Sequence, residues 1–299
     1  MPEIFDPKII SRVKNLEVRS FRLVESLMVG IHKSRLRGIS TEFAQHRQYV
    51  TGDDTKHLDW KVFAKTDRYF VKQYEAETNM PMYFFLDTSA SMFFKSEEAA
   101  MSKFEYASTL IATMAYLMMQ QKDTFGLTLF DDKVRTFLSA KGSGSHFRNI
   151  VDVMSKASSG TKTDIGRALL TVAPQMKSKG IVTIISDFVD EADTLSKGLG
   201  QMSFMGHDVI LFHIEDPTER DFPFIGQTIF RGLEGEGRLL CDPEDLAHAY
   251  MRERDRHLAS IREVCTRFRY DLNDIATDER LDAVLSGMLS SRLARRRRR

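Results

Sequence analysis

Met82-Tyr83-Phe84-Phe85-Leu86-Asp87-Thr88-Ser89-Ala90-Ser91 is the stretch that decides the fold of this 299-residue chain. The apolar run from Met82 to Leu86 is typical of a strand that is buried on both faces of a sheet. Asp87, Ser89 and Ser91 follow at alternate positions on a predicted turn, and these three hard oxygen donors suit a small divalent cation such as Mg²⁺. Because open α/β sheets bind ligands at the carboxyl ends of their strands, we expect this turn to carry the function.

Apolar strand-like runs alternate with helical segments from about residue 82 to 214. This alternation predicts an α/β fold, a doubly wound and mostly parallel sheet covered by helices on both faces. The polar break between Phe130 and Val134 predicts a hairpin, which would place one antiparallel strand at the edge of the sheet. A helix is expected to begin between Lys95 and Ala99. The predicted strands are 82–86, 125–130, 134–138, 181–186 and 209–214, and the predicted helices are 99–121, 146–156, 164–176 and 191–204.

Three domains are predicted along the chain. Residues 1–80 form an N-terminal appendage with helical periodicity from 7 to 30 and a strand near 68–74, and residues 81–240 form the sheet domain. Residues 241–299 form C-terminal helices, predicted at 243–268 and 279–293, and a basic tail. The glycine-rich segment 226–237 predicts a hairpin or a loop.

Composition narrows the class of protein. The formal net charge is +1, but the run Arg295 to Arg299 is so basic that the rest of the chain is mildly acidic. An acidic body argues against a broad nucleic-acid surface, although the arginine tail could contact nucleic acid or anionic lipid by itself; a solvated chain end is the simpler interpretation. Cys241 and Cys265 have neither the spacing nor the flanking histidines of a zinc site, so we expect reduced thiols.

Targeting signals are not apparent in the sequence. The longest strongly apolar stretch, 107–119, falls short of the roughly 20 residues that a membrane span needs. Glu3 and Asp6 stand where a secretory signal would carry basic and apolar segments. We therefore expect a cytoplasmic protein with no membrane span.

Two further segments complete a predicted metal site. Residues 159–164 open a helix with small residues and two hydroxyl groups, and the apolar run 181–186 ends in Asp187. Mg²⁺ favours six oxygens at about 2.1 Å and retains water, so few direct protein ligands suffice. The predicted direct ligands are Ser89, Ser91 and Thr161, with Asp87 and Asp187 acting directly or through water; Mn²⁺ or Ca²⁺ are alternatives. The competing interpretation is that these side chains only cap helices and shape turns.

The same residues carry a resemblance. Asp87-x-Ser89-x-Ser91, Thr161 in a Gly-Thr-x-Thr loop and Asp187 at the end of a strand resemble the metal-ion-dependent adhesion site of von Willebrand factor type A domains. All five ligand positions are matched, within residues 82–214. The resemblance implies a doubly wound sheet and a divalent cation with one coordination position open for a partner's carboxylate. Phe188 stands where the family more often has glycine, and Ser186 where it has threonine.

A second resemblance lies upstream. Arg47-Gln48-Tyr49, Gly52-Asp53-Asp54 and Asp59-Trp60 resemble the signature of the bacterial domain-of-unknown-function fifty-eight family, and the similarity covers at least residues 40–190. Gln48 replaces the usual glutamate. From the residues alone, a buried ion-pair network around Arg47 is the simpler interpretation, against a catalytic acid pair. The resemblance implies a partnership with a MoxR-type AAA+ ATPase, as an adaptor or co-chaperone.

Enzymatic readings have weaker support in the sequence. An aspartyl phosphotransferase would have a second carboxylate where this chain has Ser89, and no Gly-x-Ser-x-Gly elbow or P-loop is present. We therefore expect a non-enzymatic interaction protein that binds an Asp or Glu of its partner through Mg²⁺. The alternatives are a metal-dependent hydrolase, with Asp164 or Asp190 as a spare carboxylate, and a structural domain with an inactive metal site.

Overall fold

The computed structural model describes residues 6–33, 45–48, 62–63, 69–73, 80–160, 162–189, 192–232 and 237–296. The chain divides into two compact units, one formed by residues 1–27 and 80–299 and the other by residues 28–79. In the smaller unit, strand β1 (Gln45–Gln48) pairs antiparallel with β2 (Phe70–Gln73). The rings of Phe63 and Tyr69 are stacked with their centres 4.5 Å apart.

The larger unit is built on a six-stranded sheet whose strands are β3 (Met82–Asp87), β4 (Phe125–Phe130), β5 (Val134–Lys141), β6 (Ile181–Ser186), β7 (Asp208–Glu215) and β10 (Asp271–Ala276). Their order across the sheet is β10-β7-β6-β3-β4-β5. Neighbouring strands are parallel except for β4 and β5, which are antiparallel. The inner strands are buried on both faces, as the apolar runs predict.

Helices cover both faces of this sheet. One face packs on α1 (Pro7–Ile10), the first part of α2 (Leu16–Lys33), α3 (Lys103–Gln120), α4 (Gly144–Ser155) and α9 (Leu281–Arg296). The other face packs on α5 (Ile165–Val172), α6 (Ala192–Phe204) and α8 (Pro243–Phe268). The short helix α7 (Pro217–Asp221) follows β7. The predicted doubly wound sheet with one antiparallel edge strand is therefore confirmed.

The structure differs from the sequence expectation in the break between α1 and α2, in the start of α3 and in the presence of a sixth strand. A 3₁₀ helix (Ala90–Phe93) begins within the Asp87–Ser91 turn, and the next helix begins at Lys103 rather than between Lys95 and Ala99. Ser102 fixes this start because its hydroxyl accepts the N–H of Glu105 while the Glu105 carboxylate accepts the N–H of Ser102, a capping box. The sixth strand, β10, was not predicted, and it lies within the segment expected to form C-terminal helices.

The glycine-rich segment forms part of a hairpin in which β8 (Thr228–Arg231) pairs antiparallel with β9 (Arg238–Cys241). Ile229 and Leu240 are directly paired and exposed. In the part of the chain that the structure describes, no helix is both long and apolar enough to cross a membrane.

Candidate functional site

The predicted metal motifs meet where β3 and β6 end side by side. Leu86 is in register with Ile185, so Asp87 and Ser186 follow at the same edge of the sheet and Asp187 comes next. Asp87 and Ser186 are fully buried, and Asp187 is nearly so. Parallel pairing therefore unites two segments that are far apart in sequence.

Asp87 is the centre of a dense hydrogen-bond network. Its Oδ1 accepts the N–H of Ser89 over 2.7 Å. Its Oδ2 accepts the hydroxyl of Ser186 over 2.6 Å and that of Thr163 over 2.8 Å. With these three donors, Asp87 fixes the shape of both the 87–91 turn and the loop before α5.

The two serine hydroxyls of the turn lie side by side. Ser89 Oγ and Ser91 Oγ share a hydrogen bond over 3.1 Å, and Ser89 is fully buried whereas Ser91 is half-buried. The loop that carries the third motif is held to the same turn, because the N–H of Gly160 donates to the carbonyl of Thr88 over 2.7 Å. Thr161, the predicted third hydroxyl ligand, lies outside the described residues.

Asp187 is bound to a lysine that the sequence reasoning did not select. Lys103 Nζ donates to Asp187 Oδ2 over 2.8 Å and to both carboxylate oxygens of Glu219, over 2.7 and 2.9 Å. The Lys103 side chain is 1% exposed. Asp187 Oδ1, in contrast, is buried and has no hydrogen-bond partner among the described residues. The only sequence signal for Lys103 is a lysine at the start of the apolar helix α3, next to the capping serine.

The two carboxylates of the site differ in their electrostatics. Burial, and then the charge of Asp187, raise the pKa of Asp87 to about 7. Burial would also raise the pKa of Asp187, but the Lys103 ammonium outweighs burial and leaves that pKa below its usual value. The Ser91 hydroxyl and the N–H of Val189 lower this pKa further, although neither makes a hydrogen bond of full geometry to Oδ1. Asp187 is thus stabilised as an anion, whereas Asp87 has no cation to neutralise it among the groups that shift its pKa.

Phe188, which directly follows Asp187, has an unusual backbone conformation that its contacts stabilise. Phe188 has φ = +54°, in the left-handed region that glycine adopts more readily. Its ring is buried, with 1% of the residue exposed, and its carbonyl accepts a hydrogen bond from His257 Nε2 over 2.7 Å. Side-chain burial and this bond stabilise the left-handed backbone conformation of Phe188.

The arrangement fits a divalent cation. Two oxygens on adjacent corners of an octahedron with bonds of about 2.1 Å are about 3 Å apart, and the serine hydroxyls have this separation. The orphaned Asp187 Oδ1 supplies an unpaired carboxylate oxygen, and positive charge would relieve the repulsion between the two buried acids. Within the described residues, no three His, Cys, Asp or Glu side chains are grouped to share a metal ion, so a cation bound here would depend on hydroxyl donors as well as on Asp187.

The other polar residues singled out in the sequence have local roles or lie outside the described part. Asp164 caps α5, accepting the N–H of Arg167 over 2.8 Å. Asp190 and most of the upstream signature, residues 49–61, lie outside the described residues, whereas Arg47 belongs to β1.

The strand order, the single antiparallel edge strand and the Asp-x-Ser-x-Ser turn after an inner strand define a von Willebrand factor type A-like domain. The chain belongs to the family described as "Protein of unknown function DUF58", which it matches over residues 45–260. The resemblance of the upstream signature to this family is thereby confirmed.

Curated relatives resemble the chain in sequence, and solved structures resemble it in fold. The chain is 24% identical over 235 residues to the uncharacterized protein Rv1480 of Mycobacterium tuberculosis, and the aligned region covers 78% of this chain and 73% of the relative. The conserved hypothetical protein BatB of Bacteroides thetaiotaomicron has a similar fold, with a TM-score of 0.50 and 14% identity over 71% of this chain and 98% of that one. An aerotolerance-related membrane protein of Bacteroides fragilis matches with a TM-score of 0.50 and 17% identity, over 71% and 97% of the two chains.

Proposed function

We propose that this protein is a non-enzymatic interaction module that binds an Asp or Glu of a partner protein through a divalent cation, Mg²⁺ in the first instance. The observation that carries the proposal is the buried Asp187 Oδ1, which lacks a hydrogen-bond partner among the described residues and belongs to the same site as the paired hydroxyls of Ser89 and Ser91. An unpaired buried carboxylate oxygen is costly, so a ligand in this place would relieve a real energetic penalty.

Each residue has a defined part in this proposal. Ser89, Ser91 and Asp187 would hold the cation, together with Thr161 as the family resemblance implies. Asp87 positions the turn, because it accepts the N–H of Ser89 and the hydroxyl groups of Ser186 and Thr163. A bound cation supplies one open coordination position for a carboxylate oxygen of the partner.

A MoxR-type AAA+ ATPase, or a client of one, is the partner we propose. Support for this partner comes from the resemblance of the upstream signature to the domain-of-unknown-function fifty-eight family. The role of this protein would be that of an adaptor or co-chaperone.

The rival function, metal-dependent hydrolysis, needs a general base near the cation that is not itself a ligand. Asp164 would be the candidate among the described residues, but its carboxylate already caps α5. Asp87 accepts three hydrogen bonds that shape the site, so it too is poorly placed to move protons. These engagements favour docking over hydrolysis, and an inactive, purely structural site is the remaining alternative.

The test is a pull-down with a purified MoxR-type AAA+ ATPase in Mg²⁺ and in EDTA. Wild type is compared with Asp87→Ala and Ser89→Ala/Ser91→Ala, and Asp152→Ala on the exposed face of α4 is the matched control. We expect capture by wild type and the control in Mg²⁺, and loss of capture in EDTA or in the two site variants. Capture that survives both EDTA and the site substitutions would overturn the docking proposal.

Measurements of metal binding and of hydrolysis distinguish the docking proposal from its two alternatives, the inactive site and the hydrolase. Calorimetric titration of wild type with Mg²⁺ and Mn²⁺ should give saturable binding that Ser89→Ala/Ser91→Ala loses. No heat and no thermal stabilisation at high metal concentration would instead favour the inactive site. Phosphoester hydrolysis that needs metal and is abolished by the same variant would favour the hydrolase.

A further inference from the structure

Lys103 occupies an unusual place for a lysine. It is the first residue of α3, where the helix dipole is positive and a cation is disfavoured, and its side chain is 1% exposed. Burying an ammonium group costs several kcal/mol unless it is paired and fully hydrogen-bonded. A cation retained under both penalties points to a role for its charge.

All three donors of the Lys103 ammonium are used. One contacts Asp187 Oδ2, and the others contact the two oxygens of Glu219. Glu219 is itself fixed, because its Oε2 accepts the N–H of Asp216 over 2.9 Å in the capping box of α7. Lys103 is thus anchored by α7 and has no N–H left to donate to a ligand.

The two oxygens of Asp187 consequently have different surroundings. Lys103 binds Oδ2, and Oδ1 has no partner among the described residues. The three carboxylates of Asp87, Asp187 and Glu219 and the one ammonium of Lys103 carry a formal charge of −2 when all are ionised, which matches a divalent cation. Without Lys103 the cluster would have one more negative charge.

We propose that Lys103 sets the affinity of the candidate metal site. The lysine orients Asp187 so that Oδ1 faces the cation. Its positive charge stabilises the folded site in the absence of metal and also weakens the binding of the cation. This inference rests on the proposed function. Because Lys103 and the cation share one carboxylate, their charges repel each other, and the repulsion lowers metal affinity. A weaker site releases its cation, and with it a partner, more readily.

A purely structural ion pair predicts a different result from an affinity-setting one. If Lys103 only braces Asp187, its removal lowers stability and metal affinity together. If its charge opposes the cation, removal lowers the stability of the metal-free protein but raises metal affinity. The opposite directions of these two measurements distinguish the roles.

The experiment measures Mg²⁺ affinity by calorimetry and metal-free stability by thermal unfolding in EDTA. The variants are Lys103→Met, which removes the charge and keeps all but the last atom of the side-chain length, and Glu219→Gln, which leaves the ammonium less neutralised. Lys177→Met is the matched control, since Lys177 is exposed and precedes β6, at the opposite end of the strands from the site. We expect Lys103→Met to melt at lower temperature and bind Mg²⁺ about tenfold more tightly, and Glu219→Gln to bind it several-fold more weakly.

The outcomes separate this inference from the proposed function. If wild type binds Mg²⁺ and Lys103→Met binds it with equal or weaker affinity, the role of Lys103 is overturned and the docking proposal stays intact. Absence of Mg²⁺ binding in wild type and in Lys103→Met overturns both. If Lys103→Met does not fold, Glu219→Gln provides the test. A Mg²⁺ affinity of Glu219→Gln equal to or above that of wild type also overturns the inference.

Discussion

Ser186 ties the two motif strands together: its hydroxyl donates to Asp87 Oδ2 over 2.6 Å and accepts the N–H of Phe188 over 2.9 Å. One side chain therefore holds the end of β3 to the loop that follows β6. Both groups it contacts are buried, so neither can turn to water for a replacement.

The Ser186→Ala variant should lose about 1–3 kcal/mol of unfolding free energy, because a buried carboxylate and a buried N–H each lose a partner. Ser186→Thr keeps the hydroxyl and should retain most of the stability. Urea unfolding of the three proteins in EDTA measures both effects. An alanine variant as stable as wild type would show that the hydroxyl bridge contributes nothing.

Glycine substitutions should have opposite effects in two helices. A Cβ on Gly166 in α5 would lie 2.1 Å from the carbonyl oxygen of Thr194 in α6, so Gly166→Ala must push the helices apart and should cost about 1–3 kcal/mol. Gly287 in α9 has nothing within 4 Å of such a Cβ, so Gly287→Ala should gain about 0.5–1 kcal/mol from helix propensity. Thermal and urea unfolding of both variants will measure this difference, and equal effects would contradict the close packing of α5 on α6.

Asp274 should make the stability of the protein depend on pH in the acid range. His213 Nδ1 lies 3.3 Å from its Oδ1 and Arg262 Nη2 lies 2.6 Å from its Oδ2. The contact with His213, and then that with Arg262, outweigh burial and lower the pKa of Asp274 to about 2. A carboxylate whose pKa is lower in the folded state stabilises the protein above its unfolded pKa of about 4, and this contribution is lost as pH falls towards 2.

Asp274→Asn should therefore be less stable than wild type near pH 5, with a difference that shrinks as pH falls from about 4 towards 2. Urea unfolding of both proteins across this range measures the difference. The control is Asp152→Asn, which removes an exposed carboxylate paired with Lys156 and should show little difference from wild type at any pH. A difference between wild type and Asp274→Asn that does not change with pH would count against the lowered pKa.

The two cysteines should differ in reactivity. Cys265 is 2% exposed, and burial, aided by Asp274, raises the pKa of its thiol to about 12. Cys241 is half-buried at the end of β9. At pH 8 a chromogenic disulfide reagent should label one thiol rapidly in the native protein and the second only after denaturation, because the thiolate is the reactive form. Cys241→Ser should abolish the rapid phase, and a rapid phase that persists in this variant would place the reactive thiol at Cys265.

Periodicity and polar breaks were enough to predict the inner part of the fold. The runs 82–86 and 181–186 are apolar throughout because both faces of their strands are covered, and the polar break at 131–133 marked the hairpin between β4 and β5. Strand β10 reads Asp-Leu-Asn-Asp-Ile-Ala, and its first half is only partly buried at the edge of the sheet, so its pattern is too polar to indicate a strand.

The candidate site was predictable only in part for a related reason. Asp87 and Asp187 end apolar strands, where carboxylates are conspicuous, and the structure brings them to one edge of the sheet. Lys103 begins an otherwise apolar helix, and a lysine there is ordinarily read as a solvated end. Its partner Glu219 lies far along the sequence, so only the folded chain reveals their pairing.

The position of β10 has a consequence for how the chain folds during synthesis. β7 is buried almost throughout, but its outer neighbour is made only after the whole of α8. Until residues 271–276 leave the ribosome, the backbone N–H and C=O groups along that side of β7 have no strand to pair with. An open, apolar edge of this kind is a template for pairing with another chain. Nascent chains, or chains shortened at residue 240, should therefore be the forms of this protein most prone to self-association.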